Sequence, residues 1–234
     1  MIDFKGRHFQ KELILMSIRW YVAYALSYRD IEELMLERGS TVDHSTVNRW
    51  VVLYSPLLED EFRKNHKRSV GTSWRMDETY IKVKGVWCYL YRAVDKSGDT
   101  IDFMLSKKRD TAAAEAFFRK AIRSSGGPQK VNIDKSGANK AGLDAINAQL
   151  FLLALLMGLS LMQIEIRQIK YLNNRIEQDH RGIKRITKPM MGFKAFYSAE
   201  ATLAGIELHR MIKKGQHIQA GNQSIFEQFY ALAA

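Results

Sequence analysis

The chain has a single cysteine, Cys88, in 234 residues. That excludes an internal disulfide and any zinc site built from several thiolates, and it fits a reducing cytoplasm. It also lacks an apolar run long enough to cross a bilayer. The longest, LFLLALLMGLSLM at 150–162, falls short of the roughly 18–20 residues a spanning helix needs, so a buried core helix and no membrane partner are expected. The N-terminus, MIDFKGRHFQKELI, carries early charges and no continuous apolar core with a cleavage site, so no secretory signal is expected. There is no internal repeat and no low-complexity tract. Acidic residues are scarce: 25 Asp and Glu face 36 Lys and Arg, giving a formal charge of +11 and a pI near 9.7. That balance points to a polyanionic partner, most often nucleic acid. With 46% hydrophobic residues, the chain can bury a core as one large domain or two small ones.

The first third reads as helices. Leu13, Ile14, Ile18, Tyr21, Val22 and Ala25 recur at helical spacing over 10–25. In SYRDIEELMLERG at 27–39, Ser27 can cap, Ile31, Leu34 and Met35 share a face, and Gly39 terminates. A third helix follows, HSTVNRWVVLY, capped by Asp43 or Ser45. Val47, Trp50 and Val51 turn inward there, while Thr46, Asn48 and Arg49 turn out. Two short helices, a glycine-containing turn and a helix with polar residues near its start give a helix-turn-helix layout. Ser45, Thr46, Asn48 and Arg49 are its candidate DNA-binding residues, since such side chains reach bases and phosphates. Charge alone does not support this module, because residues 1–70 hold 11 Lys and Arg against 10 Asp and Glu. Residues 55–73, with mixed charge runs and a Gly/Ser end, read as a linker.

The period then becomes two. MDETYIKVKGVWCYLYRAVDKSGDTIDFMLSKKR reads as three strands turned at Lys84-Gly85 and at 96–99. A helix over 110–125, a short strand KVNID at 130–134, the apolar helix, a strand at 163–169 and a helix from about Asn173 complete the order βββαβαβα. That order predicts an α/β ribonuclease-H-like domain, a mixed sheet flanked by helices, following an all-α N-terminal domain. The boundaries expected are 1–54 for the helix-turn-helix, 55–73 for the linker, 74–215 for the sheet domain and 216–234 for a C-terminal tail.

Three carboxylates have chemical possibilities. Asp77 sits in a strand, where aspartate is disfavoured. Its neighbour Glu78 is expected on the opposite face. Asp134 ends a strand at a Gly/Ser/Asn loop, the end of a sheet where ligands gather. Glu177 lies on the last helix in NNRIEQDHRGIKR, with His180, Arg181 and Lys184 following on the same face. In the proposed fold the three acids converge and would repel one another without a cation. Oxygen ligands without thiolate suit Mg2+ or Mn2+, and two such ions can activate the attacking oxygen and stabilise the leaving oxygen of a phosphodiester. Arg181 and Lys184 would then hold phosphates, with Lys170, Arg175 and Lys188 as further backbone contacts. Asp95, Asp99 and Asp102 are set aside as strand-end, turn and strand residues; Trp74, Trp87, Tyr89 and Tyr91 are assigned to the core or its flank, with stacking of one of them on an unpaired DNA base as the lesser alternative.

At these residues the chain resembles the DDE transposases of bacterial insertion sequences, specifically the insertion sequence six family. The likeness runs through FKGRHF at 4–9, SYRDIEELMLERG, VDHSTVNRWV, the segment WRMDETYIKVKGVWCYLYRAVDKSGDTIDF, NIDKSGAN at 132–139 and RQIKYLNNRIEQDHRGIKR at 167–185. It implies Asp77, Asp134 and Glu177 as metal ligands and Lys184 as the basic residue seven positions past the glutamate. It implies cleavage and strand transfer at terminal inverted repeats, double-stranded DNA as partner, a homodimer or larger complex, and a bacterial cytoplasmic location. The alternative is a helix-turn-helix regulator or an inactive relic. One departure stands out: 42 residues separate Asp134 from Glu177, more than the mid-thirties usual in the family, and the surplus coincides with the apolar run. Glu165 is the rival third acid, but it falls in a strand pattern.

Overall fold

A computed structural model describes residues 2–4, 8–158 and 163–233. Its strands are β1 (Ser73–Val83), β2 (Val86–Asp95), β3 (Thr100–Ser106), β4 (Lys130–Asn132) and β5 (Glu165–Arg167). They form one sheet in the order β3-β2-β1-β4-β5. β2 and β3 are antiparallel, and β4 runs parallel to both β1 and β5. This is the mixed ribonuclease-H-like arrangement expected from the element order. Lys84 and Gly85 both take positive φ (50° and 80°), as a two-residue hairpin turn between twisted strands requires.

The chain divides into two compact units, Ser69–Lys82 with Val86–Gly182, and Met1–Arg68 with Val83–Gly85 and Ile183–Ala234. In the first, the sheet packs against α4 (Thr111–Ser125) and α5 (Gly137–Met157). Asp110 caps α4 by accepting from the Ala113 amide at 2.9 Å. Trp74, Met76, Tyr91, Phe117, Phe118, Val131, Leu143 and Ile146 belong to one buried cluster. Gly142 lets α5 approach α4 closely, since a Cβ there would lie 2.9 Å from the Ala114 Cβ.

The apolar run departs from expectation. Residues 159–162 lie outside the described residues, and of 151–158 only Ala154 is buried, with Leu156 76% exposed. It is therefore a protruding helix end rather than a core helix. The reason is length. α5 has 21 residues, about 31 Å, whereas its partner α4 has 15, about 22 Å, so the last turns of α5 outrun their packing surface. α5 is long and apolar enough to span a membrane by composition, but its first half, through Gly142, Leu143 and Ile146, is committed to the sheet unit.

The second unit is helical: α1 (Lys11–Ala23), α2 (Tyr28–Leu36), α3 (His44–Glu61), α7 (Phe196–Lys213) and α8 (Ile225–Ala231). Ser27 and Asp30 form the reciprocal cap of α2, and Asp43 caps α3. Val47, Trp50 and Val51 are buried as expected. Residues 55–66, expected as linker, are helix: α3 continues past Pro56 and ends in a π-helical turn, Phe62–His66. Tyr54, Leu58 and Phe62 keep a buried face four residues apart; within the charge run Lys64 pairs with Asp60 in solvent, while Arg63 pairs with Glu59 in a largely buried position. The C-terminal residues are not a loose tail. Ile218 donates to the His66 carbonyl at 2.8 Å, Arg68 donates to that of Gln216 at 2.9 Å, and Phe229 and Leu232 are buried. Boundaries at 54, 73 and 215 thus do not coincide with the compact units. Charge patterning near an exposed helix face resembles that of a linker, and sequence periodicity does not say which helix packs on which.

Between β5 and α7 the chain passes through a 3-10 turn, Lys170–Asn173, into α6 (Asn174–Thr187). Its Glu177, Arg181 and Lys184 are exposed, while Ile176, His180 and Ile183 are buried.

Candidate active site

Parallel pairing places the first two acids. Ser73 faces Lys130, Trp74 faces Val131 and Arg75 faces Asn132. Continuing that register by two residues sets Asp77 opposite Asp134 on the same face, at about the 4.8 Å spacing of adjacent strands. The structure confirms the juxtaposition. Oxygens of Asp77, Glu78 and Asp134 all lie within 4.8 Å of one another. Glu78 was expected to face away, and its side chain does enter the α4/α5 side of the sheet, only 3% exposed. Asp134 lies just past the end of β4, so it meets carboxylates from both faces of β1.

Arg109, in the loop before α4, joins two of the three. Its Nη2 donates to Glu78 Oε2 at 3.2 Å and to Asp134 Oδ2 at 2.9 Å. Asp134 Oδ1 accepts from the Ser136 amide at 3.0 Å and from Asn139 Nδ2 at 3.2 Å. Burial pushes the Glu78 carboxyl above its ordinary range, and the Arg109 charge opposes that shift.

α6 is tethered to this site from two sides. His180 Nε2 lies 3.2 Å from Asp77 Oδ2, and His180 Nδ1 lies 3.3 Å from Arg92 Nη1. Because arginine can only donate, Nδ1 accepts and the Nε2 hydrogen goes to Asp77. Burial holds the His180 pKa below its usual value, in keeping with a neutral ring. Arg92, fully buried, also pairs with Asp179 at 2.6 Å. On the other side, Asn132 of β4 donates to the Ile169 carbonyl and accepts from the Ile169 amide, both at 3.1 Å, fixing the approach to α6.

Glu177 is exposed and does not belong to the group of close oxygens. It lies three residues before His180, one turn along the same helical face, so the residue that touches Asp77 also fixes its backbone. The structure therefore brings together Asp77 and Asp134, adds Glu78, and leaves Glu177 outside that group on the exposed side of α6. Glu165 is at the other end of the parallel strands, paired in register with Lys130 and bonded to Arg167 at 2.7 Å. Asp95 accepts three backbone amides of its own turn and that of Gly71, and Asp102 bonds Lys120 and Ser124. Trp74 and Tyr91 are core residues, whereas Trp87 is 56% exposed. A second group, Glu32, Asp43 and His44, lies at the start of α3, where His44 Nδ1 sits 3.0 Å from Glu32 Oε2. Among the named DNA contacts, Ser45 and Arg49 are exposed, but the Ser45 hydroxyl is bonded to Asp43 and Arg49 to Thr46. Lys170 is exposed.

Glu78, Arg109 and Arg92 escaped sequence reasoning. An acid directly after another in a strand alternates away from it on paper, and no pattern announces a loop arginine 31 residues later.

A family model described as a DDE domain matches residues 71–216. The transposase for insertion sequence-like element IS431mec of Staphylococcus aureus is 41% identical over 215 residues, covering 91% of this chain and 90% of that protein. The transposase for insertion sequence element IS257 in transposon Tn4003, also of Staphylococcus aureus, matches to the same extent. Among solved structures, the HTLV-2 integrase catalytic core domain in complex with magnesium aligns with TM-score 0.44 at 19% identity, over 59% of this chain and 86% of that one. The Drosophila P element transposase strand transfer complex aligns with TM-score 0.39 at 11% identity, over 98% and 64%. A mixed sheet with paired carboxylates at the carboxyl end of its parallel strands, in a chain so closely matched to transposases, defines a polynucleotidyl transferase acting on DNA. The chain belongs to the DDE transposases of the insertion sequence six family.

Proposed function

We propose that Asp77, Asp134 and Glu177 form the catalytic site and hold Mg2+, or Mn2+, as a pair of ions. The observation that carries this reading is the close approach of the Asp77 and Asp134 carboxylates just past the carboxyl end of β4, where the β1–β4 register leads. The donor set fits a hard cation: Asp77 and Asp134 bring carboxylate oxygens within 4.8 Å of each other, with no thiolate, and at 20% and 35% exposed they are open to solvent. When bound, the ions activate the attacking oxygen and stabilise the leaving one.

The protein's own groups hold that geometry. His180 donates to Asp77 and orients it. Arg109 and Asn139 hold Asp134. Glu78 neutralises Arg109, so the guanidinium can hydrogen-bond Asp134 without a net positive charge opposing a cation. Glu177 completes the ligand set by turning its exposed carboxylate toward Asp77. Arg181, Lys184 and Lys170 contact phosphates, and Ser45, Thr46, Asn48 and Arg49 of the helix-turn-helix read the element's end. In the first step a water oxygen attacks phosphorus at the terminal inverted repeat and frees a 3′-hydroxyl. That hydroxyl then attacks a target phosphodiester, forming one P–O bond as another breaks, with no covalent protein intermediate. A homodimer or larger complex in the bacterial cytoplasm holds two ends.

The test is a magnesium-dependent joining assay run beside a gel shift on DNA carrying the element's ends. Asp77→Ala, Asp134→Ala and Glu177→Gln should lose joining and keep the shift. Full joining by Glu177→Gln would remove the glutamate from the site; full joining by Asp77→Ala would remove the site itself.

A further inference from the structure

Beyond the carboxylates, the β1–β2 hairpin carries a second feature on the face that holds Glu78. The two-residue turn sets Glu78 opposite Tyr91, Tyr80 opposite Tyr89 and Lys82 opposite Trp87. The rungs change character outward. Tyr91 is fully buried, whereas Tyr80 and Trp87 are 52% and 56% exposed. Tyr80 lies 5.5 Å from Tyr89 and 6.1 Å from Trp87 between ring centroids, and Lys82 Nζ sits 5.9 Å from the Trp87 ring. Lys107 and Lys108, also exposed, follow β3, whose Ser106 is in register with Tyr89. The core under α4 and α5 includes Tyr91 and takes in Tyr89 at its margin, leaving Tyr80 and Trp87 as an exposed aromatic patch rimmed by lysines.

Large aromatic rings half in water need an occupant, and here the rim selects one. Exposed rings with cations around them match a polyanion that presents π-faces, which is single-stranded nucleic acid. The position agrees. Tyr80 lies two residues, about 7 Å, from Glu78 along the strand, and it bears electrostatically on Arg109, which holds Asp134. Paired bases hide their faces, so the bases that meet this patch must be unstacked.

We propose that Tyr80 and Trp87, with Lys82, form a stacking platform for one or two unpaired nucleotides of the DNA strand beside the scissile phosphodiester. This rests on the reading that Asp77 and Asp134 mark where the strand is cut. The platform receives bases without regard to their identity, because every base offers a π-face. It keeps the strand end from re-pairing and directs its backbone toward the carboxylates.

Trp87 supplies a reporter in a Trp20→Phe background used throughout, because Trp20 is only half-buried under Arg38 whereas Trp50 and Trp74 are buried. Full-length protein in EDTA is titrated with a duplex carrying a three-nucleotide 3′ extension and with the same duplex carrying abasic sites in the extension. Bases should quench tryptophan fluorescence and tighten binding about five- to a hundredfold over the abasic form. Trp87→Ala should lose most of that gain and the quenching, Tyr80→Ala part of it, and Trp87→Phe should retain the affinity. The proposal fails if Trp87→Ala still discriminates bases from abasic sites as the unmodified protein does. It fails equally if the substitution instead dissociates an oligomer in size-exclusion chromatography while discrimination persists, since the patch would then be a protein contact. Because the titration omits metal, this result is independent of the joining assay on Asp77→Ala, and the two readings can fail separately.

Discussion

In the sheet unit, charged groups are drawn inward: Arg92 and the Glu78 side chain are buried, and His180, Asp77, Asp134 and Arg109 converge past the end of β4, beside the middle of β1. The helical unit is built differently. Its closest approaches are steric, as at Gly205 of α7, where a Cβ would lie 2.7 Å from both Ser55 Oγ and Val22 Cγ1. The first unit clusters its buried charges at one site; the second packs helices from both ends of the chain closely, with buried polar groups such as Glu207 and Gln216 dispersed among them. Substitutions should therefore separate the two, and unfolding experiments are the way to drive them apart.

The largest expected effect is at Arg92. Arg92→Ala leaves Asp179 and His180 without their buried donor, and breaking a buried pair costs about 3–5 kcal/mol. Urea unfolding should show that loss in the sheet unit. Next come the two glycines at helix crossings. Gly142→Ala and Gly205→Ala each force a contact of 2.9 Å or less, and overpacking costs about 1–3 kcal/mol. If the units unfold as separate transitions in calorimetry, Gly142→Ala should lower one and Gly205→Ala the other; equal displacement of a single transition would erase the distinction drawn here.

The last effect is pH-dependent. Burial, with Arg19, Lys213 and Arg210 nearby, pushes His209 of α7 down to about 4. Between pH 6.5 and 4 the unfolded chain accepts a proton that the folded helix refuses, so stability falls as pH drops through that window and is unaffected above it. His209→Gln should flatten the decline, by no more than about 1.4 kcal/mol per pH unit. An unchanged slope in denaturant titrations would place the pH sensitivity elsewhere.

Much of this was legible in the sequence. Alternation and turn residues defined the hairpin, because Lys84-Gly85 satisfies a local backbone requirement, and capping chemistry located the starts of α2, α3 and α4. Asp77 and Asp134 could be paired in advance because strand order follows from element order. What stayed hidden depends on tertiary distance. The last turns of α5 are exposed because α4 is shorter, which hydropathy within α5 does not reveal. The C-terminal residues fold with the first helices through bonds from Arg68 and Ile218 that span most of the chain. Glu78 joined the site because Asp134 sits past its strand end, where the alternation of faces no longer separates neighbours.

Everything in the site depends on Asp77 and Asp134 sharing a cation. Electron paramagnetic resonance of Mn2+ titrated into the full-length protein tests this directly. The unmodified protein should bind Mn2+ with an affinity that Asp77→Asn or Asp134→Asn lowers by about 10-fold or more. Undiminished Mn2+ binding by the double variant would contradict the account.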